Sequence, residues 1–592
     1  MTILAGAFSR RADSTLPESL CADLIRNVSR NPHDEVASFS DRRCLLAKVD
    51  VGAFGASAFR TERGRSVSML AGEPLLAAQE GVPCQSRSAD LELLHGAWDQ
   101  GNWSALAQCQ GVFCAAHYDV SAGRLTLLTD KLGVRQLYYW ENEHMVVFAS
   151  ALRILEAIAA VPKEMSLQGV TEIATLGYPL GDRTAYVGIR ALRAGETVRF
   201  NERETIRARY WRWDALEPTD LGEQALLQVA YERFAEAVTR RLRGDATATA
   251  LLSGGLDSRA TVASLRQRGT TVHTINFNFH SIRGMQDPVF AAQFAREAGT
   301  LHHEVPVDPA TEAWHTPIFS QQPWTASDPW KRSPPERPQL IWSGDGGSVG
   351  VGHVYLGRRI AHLMRSGDRA AAIESYLEQE GTRVVRRIFQ PDVARAVADL
   401  PAQGIAEELD DIRCHDPARA FHLFLMVNDQ HRHFAGFHYE DVDLHRLEFL
   451  TPFWDSRFLE IVLSGPVDLC VGHGFYMKWL RHFPQMITVV PWQAYPGHAP
   501  CPLPIPAQLR HQWDPNAARD RAQRLRDQRL GLARQLLASE QFPGEILNRS
   551  RLRWAYRLFR ARLGDYGYAF KFADVYHSYF ARCGGRFSAT TP

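Results

Sequence analysis

The run Ser253-Gly254-Gly255-Leu256-Asp257-Ser258 sets two hydroxyls and a carboxylate around a pair of glycines. Adjacent glycines let a backbone turn sharply and approach a ligand with no Cβ in the way. If a helix follows, its first N–H groups lack internal partners and point, with the helix dipole, at whatever fills the turn. That combination makes an anion site. Ser253 and Ser258 add hydroxyl donors, and Asp257 offers a hard oxygen ligand for Mg²⁺. No Gly-Lys dipeptide occurs in the chain, so the turn is not a phosphate loop built on a lysine. A plain strand-to-helix turn accounts for the glycines but not for the Asp and two Ser beside them.

The flanking pattern places this turn. Thr247–Leu252 reads as a strand and Arg259–Arg268 as a helix, with Gly269 where a C-terminal cap belongs. A strand over Val272–Phe279 follows. The next helix is opened by Asp287-Pro288, with Asp as N-cap and Pro at the first helical position, and closed by Gly299. Leu301–Val307 supplies a further strand, and Gln224–Leu242 a long amphipathic helix upstream. Strands and helices alternating at this spacing predict a doubly wound parallel α/β sheet, whose ligands bind at the carboxyl ends of strands.

The first 200 or so residues look different. Short β-type runs such as Arg124–Thr129, Gln136–Trp140 and Met145–Ala149 alternate with turn signals and two helical stretches, Asp90–Trp98 and Leu152–Ile158. They predict an α+β domain dominated by antiparallel sheet. The polar stretch Arg212–Glu223 reads as a junction. Ala370–Phe483 is mostly helical, and the arginine-rich tail, as in Arg519–Arg534 and Arg549–Arg562, reads as solvated helices.

The chain has 592 residues, long enough for two to four domains. Its net charge of +1 gives no global field toward nucleic acid or an anionic membrane. Nine scattered cysteines form no CxxC pair, which speaks against a zinc ribbon or disulfide framework and fits a reducing cytoplasm. No stretch approaches the roughly 20 apolar residues that span a bilayer, and the first residues lack a signal-peptide pattern. A cytoplasmic protein is expected.

SGGLDS between an apolar strand and a helix resembles the pyrophosphate loop of the asparagine synthetase B family, a group that also includes β-lactam synthetases and lasso-peptide cyclases. Gly111–Asp119, Asp130–Tyr139, Phe148–Ile154 and Tyr210–Trp213 are similar to segments of its amino-terminal domain, and Asp287–Glu304 to its second helix and third strand. The resemblance implies a domain with the fold of N-terminal-nucleophile hydrolases, followed by a synthetase domain of the adenine nucleotide α-hydrolase-like, pyrophosphate-loop kind. In that family ATP is split between its α and β phosphates, giving an acyl-adenylate and pyrophosphate. The expected divisions are an amidotransferase-like domain over 1–212, an ATP-binding synthetase domain over 213–505 and a helical basic extension over 506–592.

The resemblance also implies roles. Leu252, Ser253, Gly254, Gly255, Asp257, Ser258 and Phe277 would bind ATP and pyrophosphate, with Mg²⁺ on Asp257. Ser343-Gly344-Asp345-Gly346-Gly347-Ser348 looks like the family's second loop, with Ser343 and Gly344 along the nucleotide. Asp345 stands at its catalytic acidic position, where it could orient or deprotonate an attacking amine, or cap a turn. Relatives place Asp where this chain has Ser348-Val349. Lys478, in Gly474–Arg481, resembles the family's catalytic lysine and would stabilise developing negative charge. Thr451–Asp455 resembles another family segment, in which Asp455 reads as structural. The adjacent His302 and His303, and the group His431, His433 and His438, read as polar packing rather than metal ligands.

Glutamine-dependent relatives begin Met-Cys-Gly, whereas this chain begins Met1-Thr2-Ile3. Thr2 stands as a degenerate nucleophile, and the glutamine-binding surroundings are eroded at Arg30–Asp34 and Ala71–Glu73 while Asp90 matches. The expected activity is an AMP-forming ligase that joins an adenylated carboxylate to ammonia or an amine without glutaminase activity. The alternatives are a cyclising amide synthetase acting on a peptide or β-amino acid, and a decayed nucleotide-binding protein. A small-molecule or peptide carboxylate is the implied substrate, and a precursor peptide and a second copy of the chain are partners the resemblance admits. Nucleic acid and membrane are not among them.

Overall fold

A computed structural model describes residues 2–588, apart from 56–57, 63–64, 77–85, 279–283, 307–339, 380–383, 431–437, 442, 444–446, 495–497, 499 and 512–514. His431 and His433 lie outside the described residues. The chain divides into two compact units. The first comprises Met1–Ile158, Leu192–Gly357 and Leu425–Gln512; the second comprises Ala159–Ala191, Arg358–Phe424 and Trp513–Pro592. Each unit is thus built from non-consecutive stretches.

In the first unit, one antiparallel sheet contains β1 (Thr2–Ser9), β2 (Val36–Ser40) and β3 (Cys44–Asp50). The second begins with β4 (Phe59–Glu62) and β5 (Ser66–Gly72), after which comes helix α1 (Arg87–Asp99). The second sheet continues with β6 (Phe113–Asp119) and β7 (Arg124–Thr129), while β8 (Tyr138–Glu141) and β9 (Met145–Ala149) return to the first. Two later strands, β10 (Glu196–Phe200) and β11 (Thr205–Arg209), complete the second sheet in the order β11-β10-β7-β6-β5-β4; the first runs β8-β9-β1-β3-β2.

Strand side chains alternate between faces. One face of each sheet therefore supplies a shared core, with Leu4, Phe8 and Leu46 meeting Met69, Ala116, Leu127 and Val198. On the other face of the second sheet, Leu70, Ala115 and Leu128 pack with Leu91, Leu94 and Trp98 of α1. Ser86 caps α1 by accepting from Ala89 N at 3.2 Å. This is the α+β, antiparallel-dominated half expected from sequence.

The same unit continues with α2 (Glu223–Leu242), β12 (Thr247–Leu251), α3 (Asp257–Gln267), β13 (Thr271–Asn278), α4 (Gln286–Ala298) and β14 (Leu301–Pro306). Further along come β15 (Leu340–Trp342), β16 (Glu448–Leu450), α5 (Ser456–Ser464) and α6 (Gly474–Trp479). The five strands pair in parallel in the order β14-β13-β12-β15-β16. Strand order therefore reverses between β12 and β15. Ligands of open parallel sheets bind at such a reversal, outside the carboxyl ends of the strands. Both glycine-rich runs follow those two strands.

Behind the sheet, Phe234 of α2 packs against Phe453, Phe458 and Trp479 at centroid distances of 4.6, 5.3 and 5.2 Å. One expectation is corrected here. Asp287 is not the N-cap of α4: the cap position is Met285, with no side-chain bond. The Asp287 carboxylate is engaged elsewhere, accepting from Gly254 N and Asn276 Nδ2 at 2.8 Å each.

In the second unit the tail helices Pro515–Ala538, Arg549–Arg560 and Gly567–Arg582 are present, and Leu552, Ala555 and Phe559 form the buried face of the middle one. Its Arg residues are mostly exposed, as expected of solvated helices. The Tyr576 and Thr171 hydroxyls lie 2.6 Å apart. Among the described residues no single helix is long and apolar enough to cross a membrane.

Candidate active site

The turn after β12 is closed by side-chain oxygens. Ser253 N donates to Ser258 Oγ at 3.1 Å, Gly254 N to Asp287 Oδ1 at 2.8 Å, and Gly255 N to Ser253 Oγ at 3.2 Å. Each of these three turn amides is thus taken up by a protein oxygen, which fixes the shape of the turn ahead of the first amides of α3. Asn276 fastens the strand end by donating to Leu252 O at 2.9 Å. Arg259, fully buried in the first turn of α3, anchors the helix to the carbonyls of Val490 and Pro491 at 2.9 and 2.6 Å.

The loop after β15 is pressed against this turn. A Cβ on Gly344 would sit 2.5 Å from Ser258 N, and one on Gly347 would sit 2.7 Å from Asp257 Cγ. Glycine at both positions is what allows the two loops to touch. Asp345 Oδ2 accepts from the Ser343 hydroxyl, and Asp345 N donates to Ser343 Oγ at 3.2 Å. Asp345 therefore has its turn-capping role, and it also lines the same cavity as Asp257.

That cavity has a volume of about 100 Å³ and is lined by Asp257, Asp345 and Asp429, with Ser348, Tyr355 and Trp454 among its other walls. Its described lining contains three carboxylates and no Lys, Arg or His. Asp257 Oδ2 accepts from Ser348 N at 3.2 Å and Ser348 Oγ at 2.6 Å, while Oδ1 accepts from the Tyr476 hydroxyl. Burial pushes the Asp257 carboxyl above its usual range, and the charge of Asp345 adds to the effect. An acidic, cation-poor pocket with rotatable hydroxyl partners fits Mg²⁺, which takes one or two carboxylates and fills its other positions with water and phosphate. Asp257 would hold it, and the ion would neutralise phosphate charge.

Not every expected residue converges on this cavity. Leu252 is buried under the turn, and Phe277 lies on β13, paired in register with Val305. Lys478 does not line this cavity: its ammonium pairs with Glu223 at the start of α2, and its side chain is 48% exposed. Two positions earlier on the same helix, Tyr476 reaches Asp257. Residues two apart on a helix point to nearly opposite sides, so α6 cannot deliver both. Tyr476, Asp429 and Asp287 are the groups that motif reasoning missed, whereas Ser348 stands where the resemblance places an Asp. The only advance signal was Asp287 beside Pro288, which local pattern assigned to a cap. Asp455 accepts from Arg240 and Arg241 at 3.1 and 2.9 Å, a structural anchor as expected.

His302 and His303 do not form a metal site together. His302 Nδ1 lies 3.0 Å from Thr274 Oγ1 and His303 stacks on His273, on the two faces of the strand. His438 stacks on Phe449 with centroids 4.3 Å apart.

In the antiparallel half, β1 and β3 bring Thr2 opposite Asp50. Thr2 Oγ1 donates to Asp50 Oδ2 at 3.3 Å and accepts from Arg87 Nη1 at 3.0 Å. Thr2 N donates to Glu448 Oε1 at 3.1 Å, and Arg135 binds both Thr2 O and Glu448. Lys48 Nζ lies 3.2 Å from the Asp50 oxygen that Arg87 also contacts. Burial, then the charge of Arg87, pull the Lys48 ammonium down to about 7. Burial alone would raise Asp50, but Arg87 and Lys48 outweigh it and hold its carboxyl at about 2. The residues matched to a glutamine site are dispersed. Arg30 pairs with Asp443, Glu73 pairs with Arg243, and Asp90 is buried under the backbone of Leu75 and Leu76, its carboxyl raised to about 7.

Fold and site thus define a protein with an antiparallel, amidotransferase-like half and a parallel-sheet half whose strand ends carry an acidic, glycine-lined cleft. Residues 34–211 match the glutamine amidotransferase domain family, and residues 230–328 match asparagine synthase. Asparagine synthetase [glutamine-hydrolyzing] 3 of Bacillus subtilis is 24% identical over 37% of this chain and 38% of its own length. Asparagine synthetase [glutamine-hydrolyzing] 2 of the same organism is 25% identical over 46% of this chain and 38% of its own. The amidase chyE of Penicillium rubens is 24% identical over 53% of this chain and 51% of its own length. The chain thus spans about two-fifths to one-half of the length of these relatives. A solved glutamine phosphoribosylpyrophosphate amidotransferase from B. subtilis covers 54% of this chain and 83% of its own, at 11% identity and a TM-score of 0.26, which carries no weight for the fold. With both domain families matched in this order, the chain resembles proteins of the asparagine synthetase B kind.

Proposed function

We propose that the protein is an ATP-dependent, AMP-forming ligase that adenylates a carboxylate and joins it to ammonia or an amine. The observation that carries this reading is the contact of the Ser253–Ser258 turn with the Ser343–Ser348 loop at the strand-order reversal, with Asp257 and Asp345 on one cavity. The first amides of α3, with Ser253 and Ser258, would grip the leaving pyrophosphate. Ser343 and Gly344 would lie along the nucleotide, in a pyrophosphate-loop sheet of the adenine nucleotide α-hydrolase-like kind. Asp345 would orient the attacking amine and take its proton. Mg²⁺ on Asp257 would neutralise phosphate charge when bound.

The Thr2 network favours an amine or ammonium over glutamine as nitrogen source. A glutamine carbonyl would have to displace the Arg87 guanidinium from Thr2 Oγ1, where Thr2, Lys48 and Arg87 are all buried. This supports a substrate that brings its own amine, a cyclising amide synthesis on a peptide or β-amino acid carboxylate, as the second reading. The test is ATP–pyrophosphate exchange with the full chain across aspartate, other amino acids and leader-bearing peptides. Exchange above background with one class identifies the acyl substrate. No exchange with any class, together with no nucleotide binding by calorimetry, removes the ligase reading.

A further inference from the structure

A second cluster of ligand-bearing side chains lies in the antiparallel half, and none of its members lines the acidic cleft. His95 and Asp99 stand one turn apart on α1, and His117 faces them from β6. One ligand atom from each lies within 4.8 Å of the other two. Both imidazoles are almost fully buried, 3% and 2% exposed, whereas the Asp99 residue opens to solvent.

The spacings decide how this cluster works. His95 Nε2 is 3.6 Å and His117 Nε2 is 3.7 Å from the Asp99 carboxylate oxygens. Neither separation is a hydrogen bond. Zinc ligands at about 2.0–2.1 Å in a tetrahedron stand roughly 3.3 Å apart, so each imidazole–carboxylate separation lies within a few tenths of an ångström of that spacing. The opposite edges of the two rings are organised by one hydroxyl. Ser68 Oγ lies 2.7 Å from His95 Nδ1 and 2.8 Å from His117 Nδ1. Its two lone pairs can accept both Nδ1–H groups, which turns both Nε2 lone pairs toward Asp99. An outer hydroxyl that fixes the tautomer of ligating histidines is the usual support of a metal site. Ser66 Oγ, 3.2 Å from His95 Nε2, adds an oxygen beside the same point. Trp98 and Trp103 close the flank, with centroids 5.7 and 5.9 Å from His117.

We propose that His95, Asp99 and His117 form a zinc site, with Ser68 as the positioning residue for both histidines. Two imidazoles and a carboxylate suit Zn²⁺ better than Mg²⁺ or Ca²⁺, which prefer all-oxygen sets. The bound ion would pin the last turn of α1 to the second sheet. The first turn of the same helix carries Arg87, which holds Thr2 and Asp50.

The full chain, stripped with a chelator and then exposed to Zn²⁺ at low micromolar concentration, should retain one zinc after gel filtration, measured by elemental mass spectrometry. Co²⁺ in place of zinc should give the intense visible bands of tetrahedral coordination. His117→Ala and Asp99→Asn should each lose that equivalent, and Ser68→Ala should bind about 10–100-fold more weakly. Asp257→Ala should keep it, which separates this site from the acidic cleft. Asp99→Asn keeps the size of the side chain and serves as the variant that folds even if His117→Ala does not. Equal zinc in wild type and Asp99→Asn, or no zinc in the wild type, overturns the proposal.

Discussion

Asp50 and Asp257 are both carboxylates set among buried hydroxyls, and the protein treats them in opposite ways. Asp50 is held between Arg87 and Lys48, and those cations keep its carboxyl at about 2. Among the described residues, Asp257 receives the hydroxyls of Ser348 and Tyr476 and the amide of Ser348 and no cation, and burial beside Asp345 drives its carboxyl up. A carboxylate whose counter-charge is built into the chain is structural material. One whose counter-charge is missing is prepared for a cation from outside. The first arrangement occupies the place of a nucleophile centre, and the second occupies the strand-order reversal where ligands bind.

The largest effect should come from removing the uncompensated carboxylate. Asp257→Ala should lower pyrophosphate release by at least ~100-fold, the scale for losing one preorganised charge-stabilising group, while thermal stability stays level or rises. Unchanged turnover would take the turn out of the chemistry. At the compensated site, Arg87→Met should cost about 3–5 kcal/mol in a denaturant titration, because it strands Asp50 and Thr2 in a buried setting. A cost below ~1 kcal/mol would show that the network is slack.

The pH responses should have opposite signs. Asp50, depressed when folded, contributes stability above its unfolded value near 4 that is lost as pH falls toward about 2. That amounts to about 2 kcal/mol, and Asp50→Asn should remove it from the acid limb of the unfolding curve. Asp257, raised when folded, binds its proton more tightly in the native state, so its contribution is present at low pH and lost as pH rises. Protons should therefore compete with Mg²⁺ there, and Mg²⁺ affinity measured by calorimetry should climb with pH until that carboxyl ionises. A flat profile would mean the ion binds elsewhere. The smallest effect is expected of Thr2→Ala, which should leave ammonium-supported amide formation within about twofold. Glutamine-dependent glutamate release by the wild type, lost in this variant, would make Thr2 a working nucleophile.

Much of this was legible in the sequence because it is local. The strand, glycine turn and helix around Ser253–Ser258 follow from apolar periodicity and the placement of Gly269 and Gly299, and the structure has them within a residue or two. The contrast between an antiparallel first half and a parallel second half also follows from element spacing, which allows short hairpins in one and demands crossovers in the other.

What only the tertiary structure decided is which oxygen faces which. Ser348 and Tyr476 meet Asp257 across 91 and 219 residues of chain, and Asp287 leaves its own helix end to hold Gly254. Lys478 turns to the surface because α6 has one inward face, and Tyr476 occupies it. Local pattern sets the backbone's path through nearest-neighbour sterics and burial. Charge compensation depends on through-space neighbours, and those are set by strand order in the sheet.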